Sequence, residues 1–280
     1  METLARFAES GIVFGLVSAF ILGVLHGLTP DEHTWPITFS YSVGSYSSRK
    51  GALVGLRFSG AFTLQRAIAS ELAYLGFSAL FAKDIGWNFK LYILIGVVMV
   101  LSGFYLRHLQ GHLVKVRQRD EDHVPSFLPF LHGFIAGWGF GAYAIVIYTI
   151  VAPHMPGVAW GWIPGFLFGI GTTVSQILFG AGVGLWMQRQ GLTENAKAYI
   201  AKNTGTLTLI GAGILFVIAG IVGIANPTVV NNFGIPTHIP VWNLDAIDVG
   251  FLLAVPGVFI PAVLAFAYSF RKAKLIYNQD

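Results

Sequence analysis

The chain has no cysteine among its 280 residues. Disulfides, thiolate ligands and thiol relays are therefore excluded, and any metal site must be built from nitrogen and oxygen. Charge is scarce too, at 11% of residues against roughly 25% in an ordinary soluble domain. A soluble fold of this length needs more polar surface than that to cover its core. No G-x-x-x-x-G-K-[ST] segment is present, so ATP-driven pumping by this chain alone is not expected. No H-E-x-x-H helix places two ligands and a base on one face, which argues against an intramembrane metalloenzyme, and the chain is read as not an enzyme. The first ten residues carry Glu2, Arg6 and Glu9 rather than a basic leader, and no A-x-A cleavage pattern follows, so the whole chain is expected in the mature protein.

What the chain has in abundance is apolar sequence, 55% of it, with 34 glycines. Lipid removes the need for a polar exterior, and small residues suit close helix contacts in a bilayer. The net charge of +4 comes from basic residues lying between apolar segments, so it reads as a topology signal and no nucleic-acid partner is expected.

A membrane-crossing helix needs about 20 mostly apolar residues. Segments meeting that need lie near 11–44, 52–80, 91–107, 127–151, 160–187, 205–225 and 249–270. The fold class expected is all-α, one polytopic membrane domain over 1–280 with about seven spans. Arg49, Lys50, Lys115, Arg117, Arg119, Arg189, Lys197, Lys202, Arg271, Lys272 and Lys274 fall on one side of this topology; Arg6, Lys83 and Lys90 fall on the other. The positive-inside rule then predicts an N-terminus outside and a C-terminus in the cytoplasm of the cell membrane.

An internal repeat accompanies this pattern. Leu25-His26-Gly27 matches Leu131-His132-Gly133; Gly51, Gly55, Phe58 and Thr63 match Gly161, Gly165, Phe168 and Thr173; and "LIG" at 94–96 recurs at 209–211. The halves 11–107 and 127–225 hold three spans each, an odd number, so they are expected in opposite orientations, with 249–270 as an added helix.

The chemistry concentrates in the first apolar stretch. Residues 11–48 contain no charge except Asp31 and Glu32, flanked by His26 and His33. The stretch is too long for one straight span and too short for two with an ordinary loop. Pro30 supplies a break, because its ring clashes with the carbonyl four residues earlier, that of His26. On a straight helix His26 and His33 would stand about 10 Å apart along the axis, too far for one ion held at about 2 Å by each ligand. Unwinding between Gly27 and Pro30 would bring His26 near Asp31, Glu32 or His33, a set suited to nickel, cobalt, zinc or ferrous iron. The alternative is a helix stop with polar loop residues; the apolar run from Thr34 to Tyr46 speaks against it, and ionisable residues at membrane depth are functional by default. Arg66 and Glu71 are the ionisable groups in the middle of the second span; five residues apart, they are not a helical ion pair, and Asp31 or Glu32 is a reasonable partner for Arg66. Gln65, Thr172, Thr173, Ser175 and Gln176 read as helix–helix hydrogen-bonding residues. For His132, structure and ligation are even alternatives.

At "HGLTPDEH", Arg49-Lys50-Gly51 and "GLRFSGAFT" over 55–63, the chain resembles the nickel/cobalt transporter family and its relatives in the lysine-exporter superfamily. Members carry a His-x4-Asp-His signature in a span, then a basic pair and a Gly-x-x-Phe-Ser-type opening of the next span. The resemblance covers 11–63 well and 127–187 loosely. It implies a carrier of divalent transition metal, nickel or cobalt, with His26 and Asp31 as ligands and Glu32 and His33 as alternatives for the third. Two positions depart from the pattern: Glu32 stands where the second signature histidine is expected, and Phe62 where nickel carriers have a histidine. The metal would be cargo, with no permanently bound cofactor. Arg66, Glu71 and His132 are secondary candidates along the path. The bilayer and the ion are the expected partners, with a homo-oligomer or accessory subunits left open. The alternative function is carriage of another small solute, with the charged cluster coupling to protons.

Overall fold

A computed structural model describes residues 2–28, 34–42, 47–77, 87–113, 127–139, 142–238 and 246–277. Among the described residues the chain is all-α apart from one small hairpin. Its helices are α1 (Glu2–Leu28), α2 (Trp35–Ser42), α3 (Ser48–Leu72), α4 (Trp87–Leu113), α5 (Phe127–Ala136), α6 (Ala142–Val146), α7 (Ile163–Gln188), α8 (Glu194–Ala225), α9 (Pro227–Asn231), α10 (Val249–Leu252) and α11 (Ile260–Tyr277). Wider turns of π geometry extend α3 over Ala73–Phe77 and α6 over Ile147–Val151, and lead into α11 over Leu253–Phe259. The last of these contains Pro256, which removes a helical donor and forces the wider turn.

Four helices among the described residues are long and apolar enough to cross a membrane: Gly11–Leu28, Phe89–His108, Val158–Gln188 and Asn195–Ala225. The described residues are therefore those of an all-α protein with four candidate membrane-spanning helices, consistent with a membrane protein. The span expected at 127–151 is two short pieces, α5 and α6, separated at Gly137–Gly139. The span expected at 91–107 is longer, because α4 continues to Leu113 and takes His108 with it. α3 carries Arg57, Arg66 and Glu71, so its composition is less apolar than that of the four, yet one face of it, with Phe58, Phe62, Gln65 and Arg66, is buried. Its N-terminus is set by Ser47, whose side chain accepts from the Lys50 N–H at 3.1 Å. After α9, Gly234–Pro236 pairs antiparallel with Ala246–Asp248.

Glycine decides how the helices meet. A Cβ on Gly55 would strike the Gln176 carbonyl, and one on Gly165 would strike the Arg66 carbonyl. Such contacts bring α3 and α7 together backbone to backbone, running antiparallel. Gly23 of α1 sits against the Phe168 carbonyl of α7, and Gly133 of α5 against the Phe58 carbonyl of α3. These two pairs run parallel. On the far side, Gly96 of α4 and Gly213 of α8 each face the other's carbonyl.

The contacts recur at a fixed spacing. Thr63 and Thr173, 110 residues apart, join hydroxyl to hydroxyl at 3.0 Å. The same offset turns Gly55–Gln176 into Gly165–Arg66, Gly23–Phe168 into Gly133–Phe58, and Gly27–Ser175 into Gly137–Gln65. It also turns the approach of Gly180 to the Gly51 carbonyl into the Ser70–Gly161 hydrogen bond of 2.6 Å. Between α4 and α8 the offset is 117: Gly103 meets Ile210, and Gly220 meets Ile93.

A buried polar site where two helices end

α1 ends at Leu28 and α5 at Ala136. Ala136 at the end of α5 is buried, as are His26 and Gly27 in the last turn of α1, while Leu28 itself is exposed; a helix C-terminal end carries a partial negative charge. α3 and α7 supply the side chains that meet them.

At the end of α1, three residues of α7 reach across. Thr172 donates to the Gly23 carbonyl at 3.1 Å, Ser175 to Val24 at 3.0 Å and Gln176 Nε2 to Gly27 at 3.2 Å. These are the helix–helix hydrogen bonds expected of that polar run. With Nε2 committed, Gln176 Oε1 has no hydrogen-bond partner among the described residues, and the side chain is 0% exposed.

Beyond the end of α5, the corresponding role falls to Arg66. Its Nη2 donates to the Gly139 carbonyl at 2.9 Å and its Nη1 to the Tyr148 hydroxyl at 3.1 Å. The guanidinium lies 4.4 Å from the Phe62 ring centre, 5.4 Å from Phe168 and 5.9 Å from Tyr148. Ring faces attract a cation more strongly when water is excluded, and Arg66 is only 2% exposed. Among the described residues Arg66 meets no carboxylate. The expected partners Asp31 and Glu32 lie outside the described residues; carbonyl, phenol and ring faces surround the charge instead. Trp87 Nε1 donates to the Trp138 carbonyl at 3.1 Å, which satisfies a second acceptor of the same turn.

His26 occupies the last turn of α1 and is buried. Its ring stacks on Phe62 at 5.5 Å and lies 5.3 Å from Phe168, with Tyr143 edge-on at 6.2 Å. Phe62, which stands where the resemblance places a histidine, is thus a wall of the His26 site rather than a ligand. His26 and Arg66 share two aromatic neighbours, so the structure brings these two sequence candidates together.

The other candidates lie elsewhere. His132 Nδ1 is 3.0 Å from both the Tyr41 hydroxyl and the Leu128 carbonyl. It donates to the carbonyl or accepts from the phenol, and the choice fixes the tautomer. Glu71 sits by Gly161 and Tyr74, where a Cβ on Gly161 would lie 2.6 Å from its Oε2. The Leu-His-Gly match paired His26 with His132, but Gly23 and Gly133 are the residues that make equivalent contacts. Packing therefore places Ala136 opposite His26, one helical turn from His132. His33, like Asp31 and Glu32, lies outside the described residues. No cluster of three or more metal-ligating side chains occurs among the residues that are described.

Three participants were not singled out from sequence. Tyr148, Thr38 and Gly139 sit in apolar surroundings with no motif around them. Gln65 was, as a helix–helix hydrogen-bonding residue, but its carboxamide, packed against Gly137, has neither polar atom hydrogen-bonded among the described residues. No family model, curated protein or solved structure matches this chain.

Proposed function

We propose that the protein is a membrane transporter of divalent transition-metal ions, nickel or cobalt, built as two inverted three-helix halves with an added C-terminal helix. The observation that carries the reading is the position of His26. It is a buried imidazole at an internal helix end, sharing two aromatic walls with a buried guanidinium, in a chain of membrane-spanning helices. Ionisable side chains kept at such depth are costly and mark a pathway. The recurrence of contacts at a fixed offset, with α1 parallel to α7 and α3 antiparallel to it, supports the inverted halves. Helix ends meeting near the middle of such an architecture are where substrates bind. In this reading seven spans cross the cell membrane with the C-terminus in the cytoplasm. His26, Asp31 and one of Glu32 and His33 hold the partly dehydrated ion.

Arg66 favours a second reading. A permanent cation beside the site repels a dication unless carboxylates intervene, and it attracts an anion. Carriage of a small anionic solute is the alternative. Purified protein in liposomes containing a metal-responsive dye tests the first reading: nickel or cobalt entry is expected, and His26→Ala and Asp31→Ala each reduce it to background. Absence of flux for every transition metal, with flux of a small carboxylate, replaces the first reading by the second.

A further inference from the structure

Arg66 and Gln176 occupy equivalent places 110 residues apart, and each donates to a carbonyl of the helix end opposite it. One is a cation and the other is neutral. The difference extends to the next residue outward. Tyr148, which accepts from Arg66, stands at the same offset from Thr38. Thr38 is fully buried, and its Oγ1 has no hydrogen-bond partner among the described residues. α2 packs on α7 with Ser42 Oγ 3.2 Å from a Cβ placed on Gly180. The offset that relates the other contacts pairs Thr38 with Gln176 as it pairs Tyr148 with Arg66.

The end of α5 therefore has its positive charge built in, supplied by Arg66 and capped by a large phenol. The end of α1 has the same carbonyl-rich, partly negative character, but carries a shorter neutral amide and a hydroxyl. Two buried oxygens, Gln176 Oε1 and Thr38 Oγ1, have lone pairs and no donor among the described residues. Neutral oxygens at a helix C-terminal end are what hard alkali cations bind.

We propose that the end of α1 is a binding site for a monovalent hard cation, sodium in class, held by Gln176 Oε1 and Thr38 Oγ1, and that Arg66 is the tethered cation occupying the corresponding place in the other half. Sodium would then be a coupling ion. This goes beyond the transition-metal reading, which concerns the imidazole and carboxylates of the first stretch, and stands independently of it.

The test is thermal unfolding of the purified full-length protein in detergent. Sodium chloride is compared with N-methyl-D-glucamine chloride at equal ionic strength, with nickel chloride in a parallel series. Sodium is expected to raise the wild-type Tm by about 5 °C. Thr38→Val and Gln176→Leu should abolish that rise. Gln176→Arg should raise the sodium-free Tm and leave no sodium response, and Arg66→Gln should lower the sodium-free Tm and enlarge the response. Should Gln176→Arg fail to fold, Thr38→Val, which keeps the shape of the side chain, decides the matter. A wild-type protein indifferent to sodium, or a sodium response that survives in Thr38→Val and Gln176→Leu, overturns the proposal. Silence toward nickel with the sodium response intact removes the transition-metal reading alone; the reverse removes only the sodium site.

Discussion

The ends of α1 and α5 present the same backbone problem and meet it with different chemistry. Each brings main-chain carbonyls to buried side-chain donors, and each meets a long helix through glycine. One end receives a guanidinium that bridges a carbonyl and a phenol. The other receives two hydroxyls and an amide. Backbone contacts are thus duplicated while side chains have diverged. A scaffold fixed by glycine against carbonyl tolerates such divergence, because the geometry does not depend on the side chains that carry charge.

The largest expected effects come from breaking the duplicated contacts. Gly55→Leu and Gly165→Leu each drive a side chain into a carbonyl of the facing helix, and both should abolish monodisperse protein on size-exclusion chromatography. A well-behaved variant of one with collapse of the other would show that the halves are not mechanically equivalent. Next comes Arg66→Leu, which strands the Gly139 carbonyl. A buried acceptor left unpaired costs about 1–3 kcal/mol, so a Tm loss of several degrees is expected; Gln176→Leu, which removes a neutral donor, should lose less. Equal losses would erase the distinction between a charged and a neutral helix end.

His26→Ala sharpens the comparison differently. Its wall is aromatic, so truncation is expected to cost about 2–4 kcal/mol through the cavity left behind, while Ala136, its positional counterpart, tolerates Ala136→Gly with about 1 kcal/mol from helix propensity. Chemical denaturation of both variants measures the difference. The smallest effect belongs to the centre of the pattern. Thr63→Val and Thr173→Val should each cost about 1 kcal/mol, with the double variant costing less than the sum, since both remove one shared bond. Strict additivity would place that hydrogen bond outside the folded protein's energetics.

Much of this organisation was legible in the residues themselves. The apolar segments announced a helical membrane protein. Gly51, Gly55, Phe58 and Thr63 against Gly161, Gly165, Phe168 and Thr173 already carried the offset at which the contacts recur. The Leu-His-Gly match suggested a different register, because it followed identity in side chains. Packing follows the glycine that reaches a carbonyl, and Gly23 and Gly133 are those glycines. The polar run from Thr172 to Gln176 was readable as hydrogen-bonding because hydroxyls and amides between apolar helices have few other uses. The partner of Arg66 was not readable. Sequence points to carboxylates as natural companions of a guanidinium, whereas a main-chain carbonyl such as that of Gly139 is present at every position and leaves no mark. Thr38 and Tyr148 were hidden for a related reason, being ordinary residues whose meaning depends on what faces them.

The seam between α3 and α7 has one more consequence. Where glycine meets carbonyl the two backbones touch directly, and the large side chains that cross between the helices, Phe62 and Arg66 against Phe168, lie beside those contacts. Helices locked by large interdigitated side chains must lift apart before they can slip. A pair in backbone contact, joined by the hydroxyl bridge between Thr63 and Thr173, has fewer such teeth to clear.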